Sequence, residues 1–363
     1  MKTLRVNLPR PSVSYDIHIG FGILDRGVFM IARSGWGRDY TVVSDERVFH
    51  HHGRRLMGLL ADMGLAAQSV TFPPGEASKT VETALAVARA LAAQGADRSS
   101  ALIALGGGVV GDLTGFVAAV YMRGIPYIQV PTTLMAQVDS AVGGKTAVDE
   151  GGAKNILGVF HQPKAVIIDL ELLETLPPRE FVNGLAEIVK YGIIEEPDLL
   201  DLLEANRKAL EDRDRDFMTT VVSRSCRIKK GIVEIDEEER GVRRVLNFGH
   251  TVGHAVEAAS GYVIPHGEAV AMGMAAAAGL SERLGHLPRE DRERIVRCLT
   301  SLGLPVALPA GVETEAVMEA MKRDKKKEGE RINFVLLKRP GMPFINGGVP
   351  PALVREVLEE GRS

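Results

Sequence analysis

A change of hydrophobic period near the middle of the chain limits what it can fold into. Up to about residue 170, short apolar runs stand at YTVVS from 40, SVTF from 69, ALIAL from 101, YIQVP from 127 and AVIID from 165. Helix-length stretches such as VETALAVARALAAQ separate them, and this alternation predicts a parallel sheet with crossover helices. After LPPREF at 176–181 the period becomes 3.6, through EFVNGLAEIVKYGII, FMTTVVSRSCRIKKGIVE, AVEAA, AVAMGMAAAAGLSERLG and ALVREVLEEG. We expect an α/β unit over 1–175 and an all-α unit over 176–363, with a site in the cleft between them. Two units facing a cleft also imply closure on binding.

The 363 residues are 45% hydrophobic, enough for a large core and two domains. A net charge of −3 offers no basic field for nucleic acid or an anionic membrane. The basic segment KRDKKKEGERINFVLLKR at 322–339 interleaves Asp and Glu and is poor in aromatics, so it reads as a solvated face. The N-terminal MKTLRVNLPRPSVSYDIHIG lacks an apolar signal core, and AVAMGMAAAAGL is too short to span a bilayer. A cytoplasmic location is expected. Cys226 and Cys298 stand isolated and are expected to be reduced structural thiols.

In ALIALGGGVVGDLTGF, 101–116, a strand runs into glycines and then a helix. Backbone N–H groups at such a helix start can approach a diphosphate for which glycine leaves room. Gly106, Gly108 and Gly111 satisfy GxGxxG, but the motif does not follow the first strand. PTTL also stands where the Rossmann fingerprint has an acidic residue. A corner built of glycine only for packing would look similar; Asp112 beside the turn favours a ligand. In PTTLMAQVDSAVGGKTAVDEGGAKNILGVFHQP, 131–163, Thr132, Thr133, Gln137, Asp139, Lys145, Asp149, Lys154 and Asn155 alternate with small apolar residues. Two lysines beside glycines suit anionic ligand groups.

NFGHTVGHAVEAASGYVIPHGEAV, 247–270, brings three histidines into an apolar stretch of a chain that has nine. His250 and His254, at i and i+4, share one helix face. His266 follows a GYVIP loop that must end that helix and can fold back onto it. A glutamate upstream in NGLAEIVKYG could complete a two-histidine, one-carboxylate set with an open coordination position. Spacing alone leaves open which histidine is not a ligand.

Together LGGGVVGD, PTTLMAQVDSAVGGKTAVDEGGAKN, AEIVKYG, NFGHTVGHAVE, HGEAVAMGM and DKK, in this order over roughly residues 40–340, closely resemble the 3-dehydroquinate synthases, sugar phosphate cyclases of the shikimate pathway. The resemblance implies a Rossmann-like variant that binds NAD, joined to a helical metal-binding domain. It implies zinc or cobalt held by Glu187, His250 and His266, leaving His254 to contact substrate. For NAD it implies Gly107, Gly108, Val109, Val110, Gly111 and Asp112 at the diphosphate, Asp45 at the nucleotide, and Gly75, Glu76 and Lys79 at the ribose. Thr132, Thr133, Asp139, Lys145, Lys154 and the segment Leu172, Leu173, Glu174, Thr175 finish that site. Facing substrate it implies the cations Arg123, Lys145, Lys154, Lys190, Lys229, Arg243 and Lys325 or Lys326. Asp139, Asn155, Glu239, Asn247 and His254 would hydrogen-bond its hydroxyls or water.

The implied substrate, 3-deoxy-arabino-heptulosonate 7-phosphate, carries a carboxylate and a phosphate, which accounts for the number of cations. The implied reaction runs through transient oxidation with NAD, β-elimination of phosphate, re-reduction, ring opening and aldol closure, so NAD is recycled. Relatives are commonly homodimers, and that assembly is expected. Asp149 stands where many members have Asn, and ERLGHLPRED is looser than the family pattern; neither position is assigned to catalysis. Cyclases making valiolone-type or inosose products would keep the metal and NAD residues and change those at the carboxylate end. Lys229, Arg243 and Asn247 together favour dehydroquinate. Metal-dependent polyol dehydrogenases would not need so many cations, and a non-catalytic protein would not need an intact ligand set.

Overall fold

The computed structural model describes residues 14–151, 153–328 and 332–360. Its strands are β1 (Asp16–Gly20), β2 (Asp39–Asp45), β3 (Ala66–Phe72), β4 (Ala101–Gly106), β5 (Tyr127–Pro131), β6 (Lys145–Glu150), β7 (Ala153–Phe160), β8 (Ala165–Asp169), β9 (Phe334–Leu337) and β10 (Pro343–Asn346). Six of them form one parallel sheet in the order β1-β8-β5-β4-β2-β3. Every residue of β4, β5 and β8 is buried, because helices cover both faces of the sheet. That is why these strands read as continuous apolar runs. Ile103 and Leu105 of β4 face one way, towards α1 (Leu24–Ser34) and the helix that runs from α2 (Glu46–Val48) through a π-turn into α3 (Arg54–Asp62). Leu102 and Ala104 face the other, towards α4 (Val81–Ala93) and α5 (Gly108–Val120).

This arrangement creates a topological switch. β2 and β4 are neighbours, yet β2 continues into α3 on one face while β4 continues into α5 on the other. Chain leaving in opposite directions opens a crevice at their carboxyl ends, the place where open α/β sheets bind ligands. Asp45 ends β2 there, and Gly106 to Gly108 link β4 to α5.

The helices α6 (Pro178–Ile194), α7 (Pro197–Ala205), α8 (Arg207–Glu211), α9 (Arg215–Ile235), α10 (His250–Ala259), α11 (His266–Arg283), α12 (Arg289–Ser301), α13 (Thr314–Glu328) and α14 (Pro351–Glu360) follow. The largest apolar cluster ignores the change of period. It joins Val166 and Ile168 of β8, and Leu134 and Val138 from the helical turn after β5, to Leu185, Ile188 and Val189 of α6, Val221 and Val222 of α9, and Val270 and Met274 of α11. Cys226, in the same cluster, and Cys298 are both buried free thiols.

Three features depart from the sequence reading. Edge strand β1 pairs with β8 almost 150 residues away, a contact with no local signature. The polar 131–163 motif contains an antiparallel hairpin, β6–β7, bent by a register shift between Val148 and Glu150. The C-terminal unit is not purely helical: β9 and β10 form a two-stranded ribbon packed on α11.

Candidate active site

Glu187, His250 and His266 come together from three helices. Glu187 sits on α6 at 0% exposure, with Lys190 and Tyr191 on the same face at i+3 and i+4. His250 is the first residue of α10 and His266 the first of α11. Their Nε2 atoms lie 3.7 and 3.8 Å from Glu187 Oε1. Two helix N-termini thus converge on one buried carboxylate, where their positive ends favour an anion.

Backbone contact holds α10 and α11 in this position. Gly249, at φ 81°, precedes His250, and a Cβ on Gly273 of α11 would lie 1.9 Å from the Gly249 carbonyl oxygen. A Cβ on Gly267 would lie 2.0 Å from the carbonyl oxygen of Asn183 on α6, and Asn183 Oδ1 accepts the Gly267 N–H at 2.5 Å. The glycines of NFGH and HGEAVAMGM are there so that three helices can touch through their backbones.

The donor set fits a divalent metal. Glu187 Oε1 is buried without a hydrogen-bond partner among the described residues, while Oε2 is ion-paired with the Lys190 ammonium. With Nδ1 protonated, His250 donates to Phe248 O at 3.2 Å and His266 to Glu257 Oε2 at 3.3 Å. Each Nε2 lone pair then faces Glu187, the tautomer a metal requires. Burial, reinforced by Lys190, keeps His250 well below the usual imidazole range and therefore neutral. Burial opposes the charge on His266, but the hydrogen bond to Glu257 and the charges of Glu257 and Glu187 together outweigh it and raise that imidazole. Glu257 would itself be raised by burial, yet His266 and Lys154 hold it at about 2.

His254 lies beside the trio, its ring centroid 5.2 Å from that of His250 and 5.9 Å from that of His266. Its side chain is exposed towards a cavity of about 390 Å³ walled by Lys145, Glu239, Asn247 and His250. Behind this wall the cations are tied down. Lys229 Nζ donates to Asp139 Oδ1 and to its carbonyl oxygen, both at 2.7 Å, and Tyr191 Oη donates to the same Oδ1 at 2.5 Å. Burial would raise the Asp139 carboxyl, but the Lys229 and Lys190 charges hold it far below the carboxylate range. Arg243, 1% exposed, donates to the carbonyl oxygens of Glu237 and Gly143. Gly143, at φ 99°, needs glycine for its backbone, and a Cβ there would also lie 2.6 Å from Arg243 Nη2. Lys145 makes an ion pair with Glu239, whose other oxygen accepts from Asn247 Nδ2 at 2.7 Å. Burial and the charges of Arg243 and Lys229 bring Lys145 down to about 8.

The dinucleotide side forms at the sheet crevice. Gly107 caps α5, and its Cβ would lie 3.0 Å from Thr133; that of Gly111 would lie 2.8 Å from Gln129, so tight packing explains part of this motif. Val109 and Val110 occupy the first turn, with Val110 buried. Lys79, 5% exposed, pairs with Asp112 at 2.6 Å and donates to Asn155 Oδ1 at 2.5 Å. Asn155, at φ 54°, and Glu239, at φ 59°, adopt left-handed backbone next to the site, a strain typical of functional positions. Asp45 spends one oxygen on capping α2. Gly75, at φ 107°, turns the chain into Glu76, whose carboxylate lies 3.3 Å from Lys154 Nζ. The Thr132 hydroxyl is buried without a partner among the described residues, which fits a bound cofactor. Leu172 and Leu173 point into the core, Glu174 is exposed, and Thr175 Oγ1 lies 2.8 Å from His52 Nε2.

One expected residue is placed elsewhere. Arg123 follows the far end of α5, in a turn where Met122, Arg123 and Gly124 all have positive φ. Thirteen helical residues, about 20 Å, separate it from the glycine turn, so within one chain it does not join the other cations. Lys325 and Lys326 fall on α13; their side chains lie outside the described residues. Sequence reasoning missed Glu257 and Tyr191; a lone carboxylate within the apolar AVEAA run was the available signal for the first. A larger cavity of about 600 Å³ between α11, α12 and α14 holds none of the candidate residues.

A parallel sheet with a dinucleotide crevice, beside a buried two-histidine, one-glutamate centre and a polar cavity backed by buried cations, is the arrangement of a metal- and nucleotide-dependent sugar phosphate cyclase. Models of the 3-dehydroquinate synthase N-terminal and C-terminal regions match residues 69–183 and 184–327. The 3-dehydroquinate synthases of Methylococcus capsulatus and Nostoc punctiforme are 46% and 41% identical over 360 residues, covering at least 98% of this chain and 99% of theirs. The chain belongs to the 3-dehydroquinate synthase family, and its activity is that family's phosphate-eliminating cyclisation, which uses NAD and a divalent metal. The 2-epi-5-epi-valiolone synthase of Streptomyces hygroscopicus, solved with NAD+ and Zn2+, superposes with a TM-score of 0.90 at 29% identity, covering 98% of this chain and 99% of that one. A 2-deoxy-scyllo-inosose synthase solved with carbaglucose-6-phosphate, NAD+ and Co2+ gives 0.84 at 28%, covering 95% and 96%.

Proposed function

We propose that the cleft converts 3-deoxy-D-arabino-heptulosonate 7-phosphate to 3-dehydroquinate and phosphate, with Glu187, His250 and His266 as metal ligands. The observation that carries this reading is the buried Glu187, His250 and His266 trio, whose His250 also lines a cavity with His254, Lys145, Glu239, Arg244 and Asn247. When bound, the metal supplies Lewis acidity at vicinal hydroxyls and NAD a reversible hydride acceptor. Lys145, Lys190, Lys229 and Arg243 balance the substrate's carboxylate and phosphate. Asp139 keeps Lys229 pointed at the site, and its own charge stays compensated. His254, Asn247 and Asn155 hydrogen-bond hydroxyls, so the chain contributes mainly orientation and charge placement. Lys79 and Asp112, with the N-terminus of α5, hold the dinucleotide at the crevice. Identity above 40% to dehydroquinate synthases, against 28–29% to the valiolone and inosose enzymes, supports dehydroquinate as the product.

The test is phosphate release from this substrate, with and without NAD and before and after chelation, while absorbance is read for NADH. Release that needs both, without NADH accumulating, supports the reading. A protein that acts instead on sedoheptulose 7-phosphate refutes the substrate.

We also place the boundary between the units at residues 175–176 and the protein in the cytoplasm; among the described residues no helix is long and apolar enough to cross a membrane. We assign a homodimer. Ile156, Leu157, Val159 and Phe160 on β7 are 40–50% exposed on a hairpin edge, the kind of strand that proteins usually cover. A monomer in sedimentation equilibrium at micromolar concentration refutes that assignment.

A further inference from the structure

Glu257 has no role in the reaction as derived above, yet it is 3% exposed and its two oxygens are divided between the two halves of the site. Oε2 accepts from Nδ1 of His266, a metal ligand in the proposed reading, at 3.3 Å. Oε1 pairs with Lys154 Nζ at 3.1 Å. Lys154 comes from strand β7 of the hairpin, lies 3.3 Å from Glu76 on the dinucleotide side, and sits 4.7 Å from the centroid of the Tyr262 ring. A continuous line of contacts, His266–Glu257–Lys154–Glu76, therefore runs from the metal centre to the nucleotide crevice. A buried carboxylate needs its cation, so the position of Lys154 and the orientation of His266 depend on each other through one side chain.

We propose that Glu257 is a positioning residue that couples the two cofactors: dinucleotide binding at Lys154 and Glu76 strengthens metal binding at His266, and metal binding strengthens dinucleotide binding in return. The sign follows from the contacts. A dinucleotide phosphate that draws Lys154 away from Oε1 leaves the whole carboxylate charge to His266 and raises the ligand strength of Nε2. Linkage makes the effect reciprocal. The inference rests on the proposed use of metal and NAD by this site.

The experiment uses the full chain stripped of metal. Zinc affinity is measured by competition with a chromogenic chelator, without and with saturating NAD, and NAD affinity by calorimetry, without and with zinc. In the wild type NAD is expected to raise zinc affinity at least about fivefold. E257Q is expected to lower zinc affinity without NAD by about 10–100-fold and to reduce coupling below about twofold. K154M removes only the other arm: it is expected to raise zinc affinity without NAD towards the wild-type value with NAD, and to lose the coupling. Circular dichroism of each variant separates misfolding from the effect sought, and K154M keeps the test open if E257Q does not fold. Coupling that survives either folded variant overturns the proposal. So does coupling lost only in E257Q, which makes Glu257 itself a ligand alongside His254 and His266. A wild type that binds zinc and NAD without coupling overturns this inference alone; one that binds neither overturns the functional reading as well.

Discussion

Adding one methyl group at Gly273 should damage the metal centre without touching a ligand. The new Cβ would sit 1.9 Å from the Gly249 carbonyl oxygen, whereas carbon–oxygen contacts close to about 3.3 Å. The shortfall of about 1.4 Å cannot be relieved by a rotamer, because the opposing atom is backbone at the start of α10. α10 and α11 must therefore separate, carrying His250 away from His266. Metal–ligand distances tolerate only about 0.2 Å. Overpacking of this kind costs about 1–3 kcal/mol, and the better helix propensity of alanine returns about 1 kcal/mol. For a clash with fixed backbone we take the upper end, a net loss of about 2 kcal/mol. G273A should thus melt about 3 °C below wild type and bind zinc at least about tenfold more weakly in chelator competition. A G273A protein with unchanged melting temperature and zinc affinity would show that the helix crossing does not set the ligand geometry.

The remaining predictions use other contacts. Gly231 on α9 has no atom within 4 Å of its Cβ position, so G231A should stabilise the protein by about 0.5–1 kcal/mol in reversible denaturation; destabilisation would mean that this position is packed. Lys145 carries its charge only below about 8, so kcat/KM should fall as pH rises through that value, and K145R, which stays charged, should move the fall to higher pH. An alkaline limb unchanged in K145R would assign it to another group. Burial pushes the thiols of Cys226 and Cys298 up to about 12, so a thiol reagent at about pH 8 should label neither in the native protein and both after unfolding.

The parts of the molecule readable in the sequence are those set by local pattern. The strands at 40, 69, 101, 127 and 165 announce themselves as apolar runs, most plainly the last three, which are buried on both faces. The i, i+4 spacing did put His250 and His254 on one helix face. What it could not supply was the choice between them. In the proposed reading that choice comes from Glu187, more than 60 residues earlier, which only the packing of α6 on α10 and α11 brings within reach; resemblance to a family filled the gap. β1 escaped notice because its partner is distant. β6–β7 was hidden because a hairpin that carries ligand-facing polar residues loses the alternation by which a strand is recognised. Arg123 lies at the far end of α5, a position in the fold that its motif did not announce.

The apolar cluster that runs from the sheet into α6, α9 and α11 decides which parts of the cleft can yield. Glu187 and His266 ride on helices embedded in that cluster, and His250 is clamped to α11 by backbone contact. The metal centre is thus the fixed anvil of the site. Lys145, Lys154 and Asn155 hang from a hairpin whose outer strand is mostly exposed, and Glu239 sits in a short exposed segment between α9 and the metal ligands. These groups are held by ion pairs and hydrogen bonds rather than by buried apolar area, so rearranging them costs little unfolding. Adjustment to substrates of different length would then fall first to this charged wall, whose rearrangement leaves the core intact.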